Sequence, residues 1–235
     1  MHKQTAKFVG RIVAAAALVA VGVIRAQAQE PRVEVSFETG YTASEGIQTS
    51  SARVIGGQVY NDVDIKSGGN FGFTAGFFIT PNAEVEFLWN RQFSNFDVSN
   101  PAPSIELASL SVDNFFGNFV YNWGDHDTKI RPFALFGLGA NHYAPGDPVA
   151  LPKITSATTI DSATKFAWTF GGGVKVYPSQ HIGIKASARW TPTYIKSDAG
   201  GLWCDPFYPT CWVLSDPDYS NQFAITGGVT LKFDH

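Results

Sequence analysis

In eight stretches of this chain the side-chain character changes with every residue, and a period of two is the signature of a strand whose two faces meet different surroundings. In VEVSFETGY, Val33, Val35, Phe37, Thr39 and Tyr41 share one face and Glu34, Ser36, Glu38 and Gly40 the other. NFGFTAGFFIT sets Phe71, Phe73, Ala75, Phe77 and Ile79 against Gly72, Thr74 and Gly76, and AEVEFLWNRQF sets Val85, Phe87 and Trp89 against Glu84, Glu86 and Asn90. LSVDNFFGNFVYNW opposes Phe115, Phe119 and Tyr121 to Asn114 and Asn118 in its lower half, while its upper half reads either way. IRPFALFGLGANHY, KFAWTFGGGVKVY, IGIKASARW and NQFAITGGVTLKF repeat the pattern with Phe136, Trp168, Ile184 and Ile225 on the apolar side and Arg131, Lys165, Lys175, Lys185, Arg189 and Lys232 on the other.

Composition agrees with strands and turns: 23 Gly, 19 Phe, 8 Tyr and 6 Trp stand beside a single Met, and aromatics favour the pleated sheet while glycine serves turns and close approaches. A net charge of −3 supplies no basic stripe for nucleic acid. The connections alternate in length. TPNA, NWGDHDTK and PSQH are short and rich in turn formers, whereas residues 42–68, 97–107, 144–163 and 195–219 form longer connections. Short turns at one end and long loops at the other predict an all-β, transmembrane, antiparallel up-and-down β-barrel of eight strands. Segments 54–65 and 151–160 either form hairpins above the membrane or join the wall as a ten-strand alternative.

A water-soluble barrel also alternates, but with its apolar face inward. Here the polar face is Gly, Ser, Thr and Asn with widely spaced charges, which suits a narrow interior better than a solvated surface. The apolar face carries aromatics near the strand ends: Tyr41, Trp89, Phe93, Trp168, Trp190 and Phe223 toward the loops, and Phe77, Tyr121 and Phe233 with Val176 toward the turns. Two such girdles match the two interfaces of a bilayer. The inward charges form a candidate lumen network, with acids early (Glu34, Glu38, Glu84, Glu86) and bases late (Arg131, Lys165, Lys175, Lys185, Arg189, Lys232). Closure brings the first strand beside the last, setting Glu34 and Glu38 near Lys232. At eight strands the lumen is only wide enough for side chains, so Lys185 or Arg189 can reach across it. Ion pairing would plug the barrel; the same residues lining water would instead make a narrow ion path.

The N-terminus reads as an export signal. MHKQTAKFVGR is basic, IVAAAALVAVGVI is an apolar run too short to span a membrane, and Ala26 and Ala28 fit the small positions of a cleavage site. Residues 1–28 are therefore expected to be removed, leaving 29–235 as the barrel domain. Export implies an oxidising compartment, so the two cysteines of WCDPFYPTCW, Cys204 and Cys211, are read as a disulfide. It closes a loop of about eight residues, worth ~2–3 kcal/mol on the chain-entropy account. This stiffened tip lies in the last long loop and offers Trp203, Phe207, Tyr208 and Trp212 as contact area.

Chemistry is sparse. None of the five histidines stands next to a serine in the manner of an outer-membrane lipid deacylase, and no G-x-S-x-G occurs. His142, outward near the loop-side rim, is the one candidate base. Asp125, His126 and Asp127 in a turn, and Asp216 with Asp218 in the last loop, have metal-ligating groups but too few of them. No catalytic residue, metal or cofactor is assigned.

Taken together, the signal peptide, eight alternating strands, alternating connections and final aromatic strand GGVTLKF resemble the small outer-membrane β-barrels that include the OmpA transmembrane domain and OmpX. The family usually ends on Phe, whereas Asp234 and His235 follow Phe233 here. The resemblance implies the outer membrane of a Gram-negative bacterium, a lipid bilayer with lipopolysaccharide around the wall, recognition of the last strand by the assembly machinery, and a monomer. The expected role is a non-enzymatic scaffold presenting long extracellular loops, with a low-conductance pore and then a lipid-modifying enzyme as alternatives. A folded barrel resists detergent until heated, so the purified protein is expected to run at different positions on a detergent gel when loaded cold and when boiled. Identical mobility would remove the barrel.

Overall fold

A computed structural model describes residues 32–45, 47–55, 58–124, 128–148, 162–195 and 219–233. Among the described residues ten strands occur: β1 (Val33–Ser44), β2 (Ile47–Ile55), β3 (Gln58–Ile65), β4 (Gly68–Phe78), β5 (Ala83–Pro101), β6 (Ile105–Asn122), β7 (Ile130–Pro148), β8 (Ala163–Val176), β9 (Ile182–Tyr194) and β10 (Tyr219–Phe233). All pair antiparallel, in the order β2-β3-β5-β4-β1-β10-β9-β8-β7-β6, and β5 also pairs with β6. That last pairing closes an eight-stranded wall, β1-β4-β5-β6-β7-β8-β9-β10, in which every strand is paired on both sides. Closure satisfies the backbone where lipid offers no partner. β1 meets β10 along its whole length, from Val33 opposite Phe233 to Ser44 opposite Gln222.

The hairpin β2–β3 lies outside this wall. β4 pairs with β5 up to Asn70 opposite Gln92, and above that level β3 takes the same edge, from Ile65 opposite Phe96 to Tyr60 opposite Pro101. The segment 54–65 therefore belongs to a hairpin above the wall. The segment 151–160 lies outside the described residues. A second departure concerns residues 97–107, expected as a long loop. β5 continues to Pro101 and β6 begins at Ile105, so only the short bend between them is loop. Alternation with the apolar face outward ends where the outer surroundings change.

That change is visible in the side chains. Along the lower wall the apolar residues point out: Phe37 and Ile225 are each 59% exposed and Phe136 44%, whereas Glu34, Glu84, Glu86, Lys175 and Lys185 are 2% exposed or less. This is the arrangement of a barrel in lipid, opposite to that of a soluble one. Higher on β5 and β6 the faces exchange character. Outward Phe93 gives way to Asn95, Asp97 and Ser99, and outward Phe115 to Asp113, Ser111 and Ser109. The inward series Glu84, Glu86, Asn90 and Gln92 gives way to Phe96 and Val98, and inward Asn114 and Asn118 to Val112, Leu110 and Ala108, all buried. Water outside now demands the polar face outward, so the apolar groups turn in and form a core of Ile65, Phe96, Val98, Leu107, Ala108, Leu110, Val112, Tyr143, Ala163 and Ile195.

β5, β6 and β7 have 19, 18 and 19 residues. A tilted strand crosses a bilayer in about 9–11, so about eight residues of each rise roughly 20 Å beyond it at the usual rise and tilt. With β2 and β3 they make a five-stranded sheet above the membrane, its inner face packed on this core. Phe96→Ala is expected to remove about 3–5 kcal/mol from that core. The check is limited proteolysis: the bend between β5 and β6 should become cleavable while the detergent-resistant band of the barrel persists.

Candidate functional site

Among the described residues, the largest convergence of ionisable groups is in the lumen of the lower wall. β1 contributes Glu34 and Glu38, β5 Glu84 and Glu86, β8 Lys175, and β9 Lys185 and Arg189, all on the inward parity of their strands. Lys175 Nζ lies 2.7 Å from Glu34 Oε2 and 2.7 Å from Glu84 Oε2. Lys185 Nζ lies 2.9 Å from Glu38 Oε1 and 2.6 Å from Glu86 Oε2. In the wall order β9 is four strands from β5, so the Lys185 to Glu86 bridge runs between opposite walls. Arg189 Nη1 stands 3.4 Å from Glu38 Oε2 and completes a tier with two charges of each sign.

Neutral donors add a further hydrogen bond to each carboxylate. Tyr177 donates its hydroxyl to Glu34 Oε1 at 2.7 Å, Thr226 donates to Glu38 Oε2 at 2.7 Å, and Asn118 and Asn122 donate to Glu86 and Glu84 at 3.0 and 3.2 Å. Lys185 also donates to Thr74 Oγ1 at 3.2 Å, and it meets Glu38 Oε1 as an ion pair only. A desolvated ion pair is tolerable only when its other donors and acceptors are also met. Space is made by glycine: a side chain at Gly76 would collide with the carboxyl of Glu84, and one at Gly137 with the amide of Asn118.

Apolar groups share the lumen, a feature the alternation did not bring out. Leu88, Phe116 and Ala167 form one inward cluster and Val120, Phe133 and Leu135 another. The Phe133 ring lies 5.7 Å from Lys175 Nζ and 5.5 Å from Lys185 Nζ, and Phe78 lies 5.4 Å from Lys175, so the ring faces help hold both ammonium groups. Tyr177 and Phe133 escaped the sequence reading because Tyr177 follows its strand and Phe133 interrupts a polar face. The i, i+4 spacing of Asn114, Asn118 and Asn122 was the available hint for the amide donors.

The other candidate positions are more scattered. Arg131, buried, donates Nη2 to the Pro81 carbonyl at 2.7 Å and lies 5.6 Å from the Phe78 ring. Glu34 is the register partner of Lys232, yet its carboxylate goes to Lys175 and Tyr177, while Lys232 lies 5.6 Å from the Tyr177 ring. Lys165 is buried opposite Asn141, nearer the loops. Among the aromatics, Tyr41, Trp190 and Phe223 are exposed on the loop side and Phe77, Tyr121 and Phe233 on the turn side, with Val176 partly so. Trp89 is half-buried against Phe71 and Phe73, and Trp168 against Phe166 and Tyr219. Cys204, Cys211, Trp203, Phe207, Tyr208 and Trp212 lie outside the described residues, as do Asp125, His126, Asp127, Asp216 and Asp218.

The sequence pattern of the outer membrane protein beta-barrel domain matches residues 13–233. No curated protein matches the sequence. Among solved structures, the outer membrane protein OprG from Pseudomonas aeruginosa is similar at 12% identity and a TM-score of 0.58, over 88% of this chain and 98% of that one. AlkL, determined in lipid bilayers, is similar at 14% identity and a TM-score of 0.52, over 89% of this chain and 93% of that one. Neisserial surface protein A is similar at 13% identity and a TM-score of 0.51, over 88% of this chain and the whole of that one. At these identities the likeness is one of fold.

Removing one partner of a buried pair leaves an uncompensated charge, which costs about 3–5 kcal/mol. Lys185→Met leaves Glu38 and Glu86 without their shared cation, and unfolding by urea in lipid vesicles should show a loss of that order. Adding Glu86→Gln is expected to recover most of it, because Glu38 keeps Arg189.

Proposed function

This chain belongs to the outer membrane protein beta-barrel family and resides in the outer membrane of a Gram-negative cell, and on that premise we propose that it is a closed, non-enzymatic barrel whose wall carries a folded extracellular sheet and loops for surface contact. The observation that carries this reading is the pair of lysines, each shared by two glutamates across the lumen. Both ammonium groups and all four carboxylates are desolvated, with Phe133 and Phe78 against them. An ion path needs continuous water at this level, and side chains occupy it. Above it the apolar core under the five-stranded sheet adds a second obstruction on the β5–β7 side.

A catalytic role on the lipid face finds little support. Asp113, the acid opposite His142 on the neighbouring strand, gives Oδ1 to Arg91 Nε at 2.8 Å and Trp89 Nε1 at 3.2 Å, and Oδ2 to Arg91 Nη2 at 2.7 Å. It is engaged elsewhere and does not orient the imidazole, whose Nδ1 lies 2.8 Å from Thr164 Oγ1. A relay of acid, base and nucleophile needs the acid for the base.

The same reading takes residues 1–28 as a cleaved signal, Cys204 and Cys211 as a disulfide that stiffens the aromatic tip of the last loop, and lipopolysaccharide as the lipid around the loop-side half. The assembly machinery reads the last strand. A wall closed on itself has no edge left for a partner strand in the membrane, which supports a monomer. In planar bilayers at high salt the purified protein is expected to give no conductance steps, with or without prior heating. Discrete steps that vanish on antibody or protease treatment of the protein would replace the scaffold by a pore.

A further inference from the structure

On the outward face, four adjacent strands place polar groups in one row: Arg91 opposite Asp113, Asp113 opposite His142, and His142 opposite Thr164, with side-chain hydrogen bonds joining the first pair and the last. The row is out of character with its surroundings. On the lipid side lie Trp89 and Phe115, and Arg91 is flanked by Phe71 across the strand pair and by Phe93 two residues on. Phe71 packs edge-on against Trp89 at 5.6 Å and stacks on Phe93 at 5.7 Å. Arg91 thus emerges through the loop-side aromatic belt, at the height where the outer face of β6 turns from Phe115 to Asp113, Ser111 and Ser109. That height is the boundary between acyl chains and headgroups.

The ion pair is lopsided. The Asp113 side chain is 7% exposed beneath the guanidinium and the Arg91 side chain 41% exposed. Asp113 takes Nε and one Nη2 proton in a fork, and the guanidinium lies 6.0 Å from the Trp89 ring. Two sides are therefore fixed, while Nη1 and the second Nη2 proton remain for a ligand. Such a fork matches two oxygens of a phosphate, and the Trp89 and Phe115 rings on the lipid side match acyl chain. His142, on the other side of Asp113, widens the polar strip.

We propose that Arg91, oriented by Asp113 and Trp89, binds a phosphate group of an outer-leaflet glycolipid whose acyl chains lie on Phe71 and Trp89. This rests on the reading of lipopolysaccharide around the loop-side half and names the site that holds it, and bilayer conductance has no bearing on it.

The test uses the full barrel in phosphatidylcholine vesicles doped with lipid A that keeps its phosphates or with the same lipid A stripped of them. The readout is the temperature at which the folded band is lost on a gel. The wild type should lose it at a higher temperature with the phosphorylated form only. Arg91→Gln combined with Asp113→Asn, which leaves no charge unpaired, should abolish the rise, and Arg91→Lys, which keeps charge but not the fork, should shrink it. The proposal falls if both lipid A forms act alike on the wild type, if the double variant keeps the full rise, or if inorganic phosphate added to undoped vesicles reproduces it. Because the wild-type comparison needs no substitution, it decides the matter even where the double variant does not fold.

Discussion

Two ammonium groups suspended between four carboxylates and buried in the lumen are the constraint from which much else in this barrel follows. A lysine stripped of water is costly unless its charge and its protons are all matched, and Lys185 is matched by Glu38, Glu86 and Thr74. To bring those groups together, β5 and β9 must face each other across the wall, glycine must stand where a side chain would displace Glu84 or Asn118, and the eight strands must close at a diameter that a lysine can span. The network acts as a cross-tie: a barrel one register out of place would leave several buried charges unmatched at once.

The second constraint is the solvent outside the wall. Lipid and water impose opposite rules on one continuous strand, and β5 and β6 obey both in turn, with Phe87 and Phe115 outward below and Phe96 and Leu110 inward above. The exchange of faces needs no break in the backbone. Residue parity is unchanged through it along β5, and only the identity of the residues on each parity alters. The lower barrel is thus a membrane object with a polar core, continuous with an upper sheet built as a water-soluble object with an apolar core.

These two halves give the lipid-facing ion pair its setting. Arg91 and Asp113 occupy the height at which neither rule is complete, and the aromatic rings around them tolerate both environments. A charge in the middle of the hydrocarbon would be expelled and one fully in water would be loosely held. At the boundary an arginine can keep its apolar stem among rings and its head among polar groups.

Much of this was legible in the sequence. Eight strands, their inward and outward faces, and the lumen-facing parity of Glu34, Glu84, Lys175 and Lys185 follow from a period of two, because parity along a strand is a local property. The upper parts of β5 and β6 read as loop in the sequence, since an apolar run that changes sides destroys the very pattern by which a lipid-facing strand is found. Which glutamate meets which lysine was decided only by the tertiary structure. Lys175 and Glu34 are 141 positions apart and Lys185 and Glu86 are 99 apart, and such pairs are set by strand order, stagger and closure, which are properties of the whole sheet and are written in no single stretch of the chain.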